Sequence, residues 1–376
     1  MLTPDARDAA RSDGSAVAAD RSHGLQGPVL ASRVPASLPG PKVVALGGGH
    51  GLAASLSALR QVSGELTAIV TVADDGGSSG RLRRQFGVLP PGDLRMALAA
   101  LCGDDEWGTT WSRVVQHRFS GDRELGGHAV GNLLIVALWE LLGDTVVGLD
   151  WVGRLLGTRG RVLPMASVPL DIVAEVEGAD PARPGEISRV RGQAACATTP
   201  GRVRSISLLP PDPPAVPAAI AAVMEADWVV LGPGSWFTSV LPHLLVPELA
   251  AALRGTSARR LVALNLAPQP GETGGYSPRE HLEVLAAHSP GLTVDVVLAD
   301  RSAACGPAGG AVTDLEKAAG LLGGRLVLAD VAAADGTPRH DPLLLGRAYG
   351  DIFDEFRSGG LRSEAPGVRD PGPWPG

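Results

Sequence analysis

The sequence predicts an α/β protein built on a Rossmann-like, doubly wound, mostly parallel sheet with a helix-rich inserted subdomain. Three observations predict it. Short runs that are apolar on both faces, such as "LTAIVTVA" and "DWVVLG", read as parallel strands covered by helices. Glycine-rich loops follow several of those runs, at residues 47–51, 76–80 and 232–234, as in sheets that bind ligands at the carboxyl ends of their strands. The 376 residues, 44% of them hydrophobic, are enough for one large core with an attached lobe.

The elements follow in order. Residues 1–40 mix Ala, Ser, Asp, Arg and Pro without a period and read as a disordered leader. "KVVALGGGHGLAASLSALRQV" is strand, tight turn and helix, with Leu52, Leu56 and Leu59 on one helical face. "LTAIVTVA" is the next strand, and "DDGGSSGRLRRQF" leaves its end. Helical spacing then runs over 93–101, 111–119, 129–142 and 146–156, giving an insertion at about 93–160. "RVLPMASVPLDIVAEVEG" returns to strand composition and suggests a hairpin, followed by a polar segment to Thr199. "RVRSISLLP" is a strand, "PPAVPAAIAAVMEA" a crossover helix and "DWVVLG" a strand. "GPGSWFTSVLPHLLVPELAAAL" is loop then helix, broken at Pro242 and Pro247. "ARRLVALNLAP", "LTVDVVLAD" and "GGRLVLADVA" are strands. "SPREHLEVLAAHS" opens with a Ser-Pro helix start, and "DPLLLGRAYGDIFDEF" is the last helix. The domain is expected to span 41–362, with residues 363–376, rich in Pro and Gly, as a flexible tail.

Composition excludes several classes. A formal charge of 33 − 40 = −7 argues against nucleic acid as a partner. Cys102, Cys196 and Cys305 show no CxxC spacing, so neither a disulfide framework nor a cysteine zinc site is expected. The first residues lack the apolar stretch of a secretory signal, and "AVGNLLIVALWELLG", interrupted by Asn132 and Glu140, is too short and polar for a membrane span. A cytoplasmic location is the resulting expectation.

The candidate site residues lie in five segments. Gly47, Gly48, Gly49 and Gly51 let backbone amides approach a ligand ahead of a helix start; "GHGLAA" loosely matches the dinucleotide pattern, with Asp74 near the end of the second strand. The glycines serve either a phosphate or merely a tight turn, and His50 either touches a ligand or caps that turn. Asp74 and Asp75 could bind Mg²⁺, a hydroxyl or a ribose. Gly76, Gly77, Ser78, Ser79 and Gly80 form a backbone nest, and Arg81, Arg83, Arg84 and Arg95 could neutralise a diphosphate; the alternative is a solvated loop with self-paired charges. His128 and Asn132, four apart, would share a helix face, for a phosphate or sugar or for packing. Gly232, Gly234, Ser235, Thr238 and Ser239 suit a second anion contact or an ordinary turn, with Trp236 or Phe237 stacking or packing. Asn265, Gln269, Glu272, Thr273 and His281 are dense enough in polarity to read a base or sugar; otherwise they form a surface loop with His281 on an exposed turn. No G-x-S-x-G elbow and no zinc-protease spacing is present.

Together, "LGGGHGL", "VADDGGSSGRLRRQFGVLPPGDLR", "HAVGNLL", "LGPGSWFTSVLPHLL" and "NLAPQPGETGGYSPREHL" resemble, in order, the motifs of the YvcK-like gluconeogenesis-factor family, related to the CofD-like 2-phospho-L-lactate transferases. The resemblance spans Val43 to about Leu298. It implies a Rossmann-like core, a bound UDP-activated amino sugar, control of carbon flow into cell-wall precursors through a protein partner, and an influence on cell shape; a homodimer is left open. In the transferase branch an aspartate of the double-acid segment holds a metal-bound substrate, a role that falls by position on Asp74 or Asp75, with Mg²⁺ on Asp75. The intact "DDGGSSGRLR" and "PGET" segments resemble the regulatory branch more closely. Met96 departs from the family's "GDxRN" pattern, replacing an amide with a thioether.

Overall fold

The computed structural model describes residues 40–269, 271–304 and 311–358. The leader expected over 1–40, apart from Gly40, the tail over 363–376 and Cys305 lie outside the described residues.

The chain opens β1 (Lys42–Gly47), α1 (Gly49–Leu59), β2 (Glu65–Val70), then α2 (Gly77–Phe86), α3 (Gly92–Ala100), α4 (Glu106–Gln116), α5 (Val130–Leu142) and α6 (Thr145–Leu156) before β3 (Arg161–Pro164). A second block holds β4 (Asp171–Glu177), β5 (Ile187–Arg191), α7 (Gln193–Thr198), β6 (Arg202–Leu209) and α8 (Pro217–Glu225). The rest is β7 (Trp228–Leu231), a bent helical segment over 236–245, α9 (Pro247–Gly255), β8 (Arg259–Ala263), α10 (Pro278–His288), β9 (Val296–Asp300), α11 (Arg301–Ala304), α12 (Ala311–Leu321), β10 (Arg325–Ala329) and α13 (Pro342–Arg357).

Seven strands form one sheet in the order β10-β9-β8-β7-β1-β2-β3, every neighbouring pair parallel. From β1 the chain builds outward through β2 to β3, then returns to place β7 on the other side of β1. The order therefore reverses between β1 and β7. The inner strands are apolar throughout because helices cover both faces: Val43 to Leu46 and Trp228 to Leu231 are all buried. Among the covering helices, α13 packs on α1, where Tyr349 Oη and Ser55 Oγ hydrogen-bond at 3.0 Å. Its Phe353 ring lies 4.8 Å from that of Trp228.

Local signals set the helix limits. Asp105, Asp144 and Asp341 cap α4, α6 and α13 through their carboxylates, and Ser277 with Glu280 closes a capping box on α10. Pro242 and Pro247 break the 236–255 stretch into a π-turn, a 3₁₀ segment and α9, as their missing amides require. The buried ring of His243 ties this bend to β2, its nitrogens 3.2 and 3.0 Å from the carbonyl oxygens of Val240 and Ile69. Burial pushes its pKa down to about 4.

Three expectations need correction. The strand-rich stretch at 161–177 is not a hairpin: β3 joins the large sheet beside β2, while β4 joins a separate antiparallel sheet of order β5-β4-β6. The hairpin partner β5 lies in the segment read as merely polar, because its alternation is carried by arginine and valine on a half-exposed sheet. The helix placed at 111–119 begins five residues earlier, where Asp105 caps it. The helices between β2 and β3, α2 to α6, make one long crossover, in which α3 packs on α1, β2 and β3. No single helix among the described residues is long and apolar enough to cross a membrane.

Candidate functional site: an acid-floored crevice between glycine loops

The loops leaving β1, β2, β7 and β8 meet at the carboxyl edge of the sheet, around the point where strand order reverses. The β1 and β7 loops touch backbone to backbone. A Cβ on Gly51 would lie 2.4 Å from Gly234 Cα and 2.5 Å from the Pro233 carbonyl oxygen, so this contact admits only glycine. Gly49 enters α1 at φ +59°. The β8 loop fixes the β7 loop in turn: Asn265 Oδ1 accepts from Gly234 N at 2.9 Å, and its Nδ2 donates to Gly234 O at 2.8 Å. Glu272, buried, accepts from Thr238 N at 2.7 Å, and burial pushes its pKa up against the pull of the Ser235 hydroxyl and the Thr238 and Phe237 amides nearby. Thr273 Oγ1 accepts from Gln269 N at 2.8 Å. Asn265 and Glu272, offered by the sequence for reading a base or sugar, thus hold one loop to another, while Thr273 closes a turn within its own loop. His281 is buried rather than exposed, packed edge-on to Trp236, because its helix turns that face inward.

The β2 loop supplies the floor. Asp74 Oδ1 accepts from Gly76 N at 3.0 Å, an Asx turn that delivers the chain into α2. Gly76, Gly77, Ser78 and Ser79 form the start of that helix, whose first amides have no preceding turn to bond. Ser78 Oγ receives Asn132 Nδ2 at 3.0 Å and Ala129 N at 3.4 Å, and it lies 3.0 Å from His128 Nδ1. With both lone pairs of Ser78 engaged, its O–H points to the imidazole. Burial, then Arg81 and Arg118, hold His128 below its ordinary pKa, so the ring is the neutral acceptor this requires. His128 and Asn132 do converge, but on Ser78 rather than on a shared helix face, since α5 begins at Val130.

The other members disperse. Asp75 Oδ1 accepts from Ala194 N at 3.0 Å, and its Oδ2 crowds the α side of Gly192. Arg83 pairs with Asp171 at 2.7 Å and donates to Leu170 O at 2.9 Å. Arg84 reaches toward Asp75 O at 3.4 Å. Arg81 donates to Gly126 O at 2.7 Å beside the crevice. Arg95 is buried and donates to Gln116 Oε1 at 3.2 Å.

Asp93 is the site residue that sequence reasoning missed. It lies in the first turn of α3, where a Cβ on Gly48 would meet its Oδ2 at 2.5 Å. The Gly49 amide lies near enough to favour its charged form. Burial and the adjacent Asp74 carboxylate push its pKa up to about 7, against the pull of Gly49 N–H and Arg95. Asp93 as a whole residue is half-buried. The signal was present in "PPGD", a helix start carrying an acid, but nothing local indicates that it folds back under the first glycine loop. A cavity of about 450 Å³ adjoins this region between α1, α3 and α4, with His50, Ser57, Arg60, Met96 and Arg113 among its walls.

A Mg²⁺ site on Asp75 does not fit these residues. Its carboxylate is spent on the start of α7, and the described residues contain no group of three or more His, Cys, Asp or Glu arranged to hold a metal ion. Asp74 and Asp93 remain as an acid pair at the crevice floor.

A parallel sheet with glycine loops and paired acids at the carboxyl ends of its strands defines the α/β class of this protein. The family model described as 2-phospho-L-lactate transferase CofD matches residues 43–308. The chain is 56% identical over 300 residues to a putative gluconeogenesis factor of Mycobacterium tuberculosis, covering 80% of this chain and 86% of that one. It is 40% identical over 251 residues to the gluconeogenesis factor of Listeria innocua, covering 66% and 74%. A crystal structure of a UPF0052 family member from Bacillus halodurans superposes with a TM-score of 0.72 at 31% identity, covering 83% of this chain and 99% of that one. The chain belongs to the CofD-related gluconeogenesis-factor family.

Proposed function

We propose that this protein binds a nucleotide sugar of the UDP-amino-sugar class in the crevice, and acts in the cytoplasm as a regulator linking gluconeogenic carbon flow to cell-wall precursor synthesis and cell shape. The observation that carries the binding reading is the meeting of the β1 and β7 glycine loops where strand order reverses, the position at which a doubly wound, Rossmann-like sheet receives nucleotides. The regulatory part rests on the gluconeogenesis factors among its relatives.

In this reading the diphosphate lies against the first amides of α2 at Gly76 to Ser79 and the amides of Gly49 to Gly51, with Arg81 and His50 beside it. Asp74 and Asp93 lie at the floor and accept hydrogen bonds from sugar or ribose hydroxyls. Asn265, Glu272 and Thr273 keep the wall in shape, and Gly232, Gly234, Ser235 and Thr238 are that wall. Titration calorimetry against UDP-sugars, GDP and NAD tests the proposal. A UDP-amino sugar is expected to bind at micromolar concentration, more tightly than GDP or NAD; absence of binding to every UDP-sugar at millimolar concentration sinks it.

The family model's description favours a second reading, a Mg-dependent transfer of a phospholactate or nucleotide-phosphate group. The engagement of Asp75 with Ala194 weighs against it. Turnover of a GDP-linked phospholactate that depends on Mg²⁺ and vanishes in Asp74→Asn would reverse the preference.

A further inference from the structure

We propose that the cavity between α1, α3 and α4 is a second ligand site, separate from the crevice, and that it takes a small organic anion with a carboxylate or phosphate head on a short apolar body. The cavity measures about 450 Å³, the size of pockets that hold small ligands. Helical stripes build it. Ala53, Ala54, Ser57 and Arg60 recur at three- and four-residue spacing along α1 and its C-cap, as do Thr109, Arg113 and Gln116 along α4, so each set shares one helix face. Between them α3, which packs on both helices, contributes Ala99 and Ala100. With alanine at four of these positions, the floor is apolar and the volume above it stays open.

The class of ligand follows from the charge on the walls. The chain as a whole carries −7, yet here two arginines stand against one acid, Asp104. Arg60 is the anchored cation: its side chain is 15% exposed, its Nη1 donates to Cys102 O at 2.6 Å, and its Nη2 pairs with Asp104, a carboxylate that itself lies mostly in solvent. Its Nε is buried without a partner. The charge of this guanidinium is therefore incompletely offset, and its rigid setting suits it to an anionic head. Arg113, exposed on α4, forms no ion pair among the described residues and is able to close on the same ligand. Gln116 Oε1 accepts from Arg95 Nη1 at 3.2 Å, which leaves the amide N–H groups as donors, and the Thr109 hydroxyl adds another. A neutral ligand covering these groups would leave donors without acceptors. The alanine floor and the thioether of Met96 take the apolar body.

Titration calorimetry of the full chain with phenyl phosphate and with benzoate tests the proposal, with inorganic phosphate as the head alone and benzyl alcohol as a neutral body. At least one of the two organic anions is expected to bind with a Kd below ~1 mM, roughly tenfold or more tighter than inorganic phosphate or benzyl alcohol, and the one that binds identifies the head. Arg113→Ala should weaken that binding roughly tenfold, the loss of a charge-assisted contact. Ala54→Leu, which fills the floor, should abolish it with circular dichroism unchanged. Absence of binding by both organic anions at ~10 mM, equal binding of inorganic phosphate or benzyl alcohol, or binding that persists undiminished in Arg113→Ala or in a folded Ala54→Leu overturns the proposal. Should Ala54→Leu fail to fold, Ala100→Leu is judged by the same outcome.

Discussion

Asp93 is held against Asp74 beneath the first glycine turn, so its protonation is linked to folding. Its folded pKa, about 7, stands above the ordinary 3.8. The folded state therefore holds the proton more firmly than the unfolded chain does, and this contribution is complete below pH 3.8 and lost as pH rises through 7. Asp93→Asn should remove that loss. Between pH 5 and 8 in urea unfolding, the wild type is expected to lose ~2 kcal/mol relative to the variant, the order set by a carboxyl displaced from 3.8 to about 7. Asn265 is a second case in which a side chain does something other than its composition suggests. Asn265→Ala removes two hydrogen bonds to Gly234 and should cost ~2 kcal/mol in thermal unfolding. It should also weaken UDP-sugar binding, whereas Asn265→Asp, which keeps the acceptor, should retain part of both.

At the scale of elements, two loops that leave different strands must approach within backbone contact. Gly51→Ala puts a methyl into Gly234 and Pro233, and neither is the end of a flexible side chain that could swing aside. The expected result is a loss of ~2 kcal/mol in stability and at least tenfold weaker UDP-sugar binding by calorimetry. Strands, helix starts and breaks were legible because each has a local cause: β-branched runs, a capping Asp or Ser, a proline. Residues 161–177 read as a hairpin in the sequence because both segments are strand-like, and composition does not say which sheet a strand joins. Four-residue spacing places His128 on a helix only by ignoring the extended residue before it, Ala129, which caps α5. The convergence of His128 and Asn132 on Ser78 joins residues about fifty positions apart, which no local pattern records.

At the scale of the molecule, the small antiparallel sheet is tied to the large one through side chains that the sequence offers to a ligand. Burial works to raise the pKa of Asp171, but Arg191 and Arg83 outweigh it and hold the carboxyl below its ordinary range. Arg83 thereby joins α2 to β4, and Asp75 joins the β2 loop to α7. Arg83→Ala should speed amide exchange roughly tenfold, ~1.4 kcal/mol, over residues 171–199, with exchange in β1, β2 and β7 unchanged. Sequence by itself determined the α/β class, the glycine loops after strands and the segments that face the crevice, because apolar period, glycine and capping residues act over a few neighbours. Only the tertiary structure decided which polar side chains remain available there. Asp75, Arg83, Asn265 and Glu272 are drawn off by partners distant in sequence, while Asp93 is brought in, because burial forces each polar group to find a partner wherever the fold supplies one.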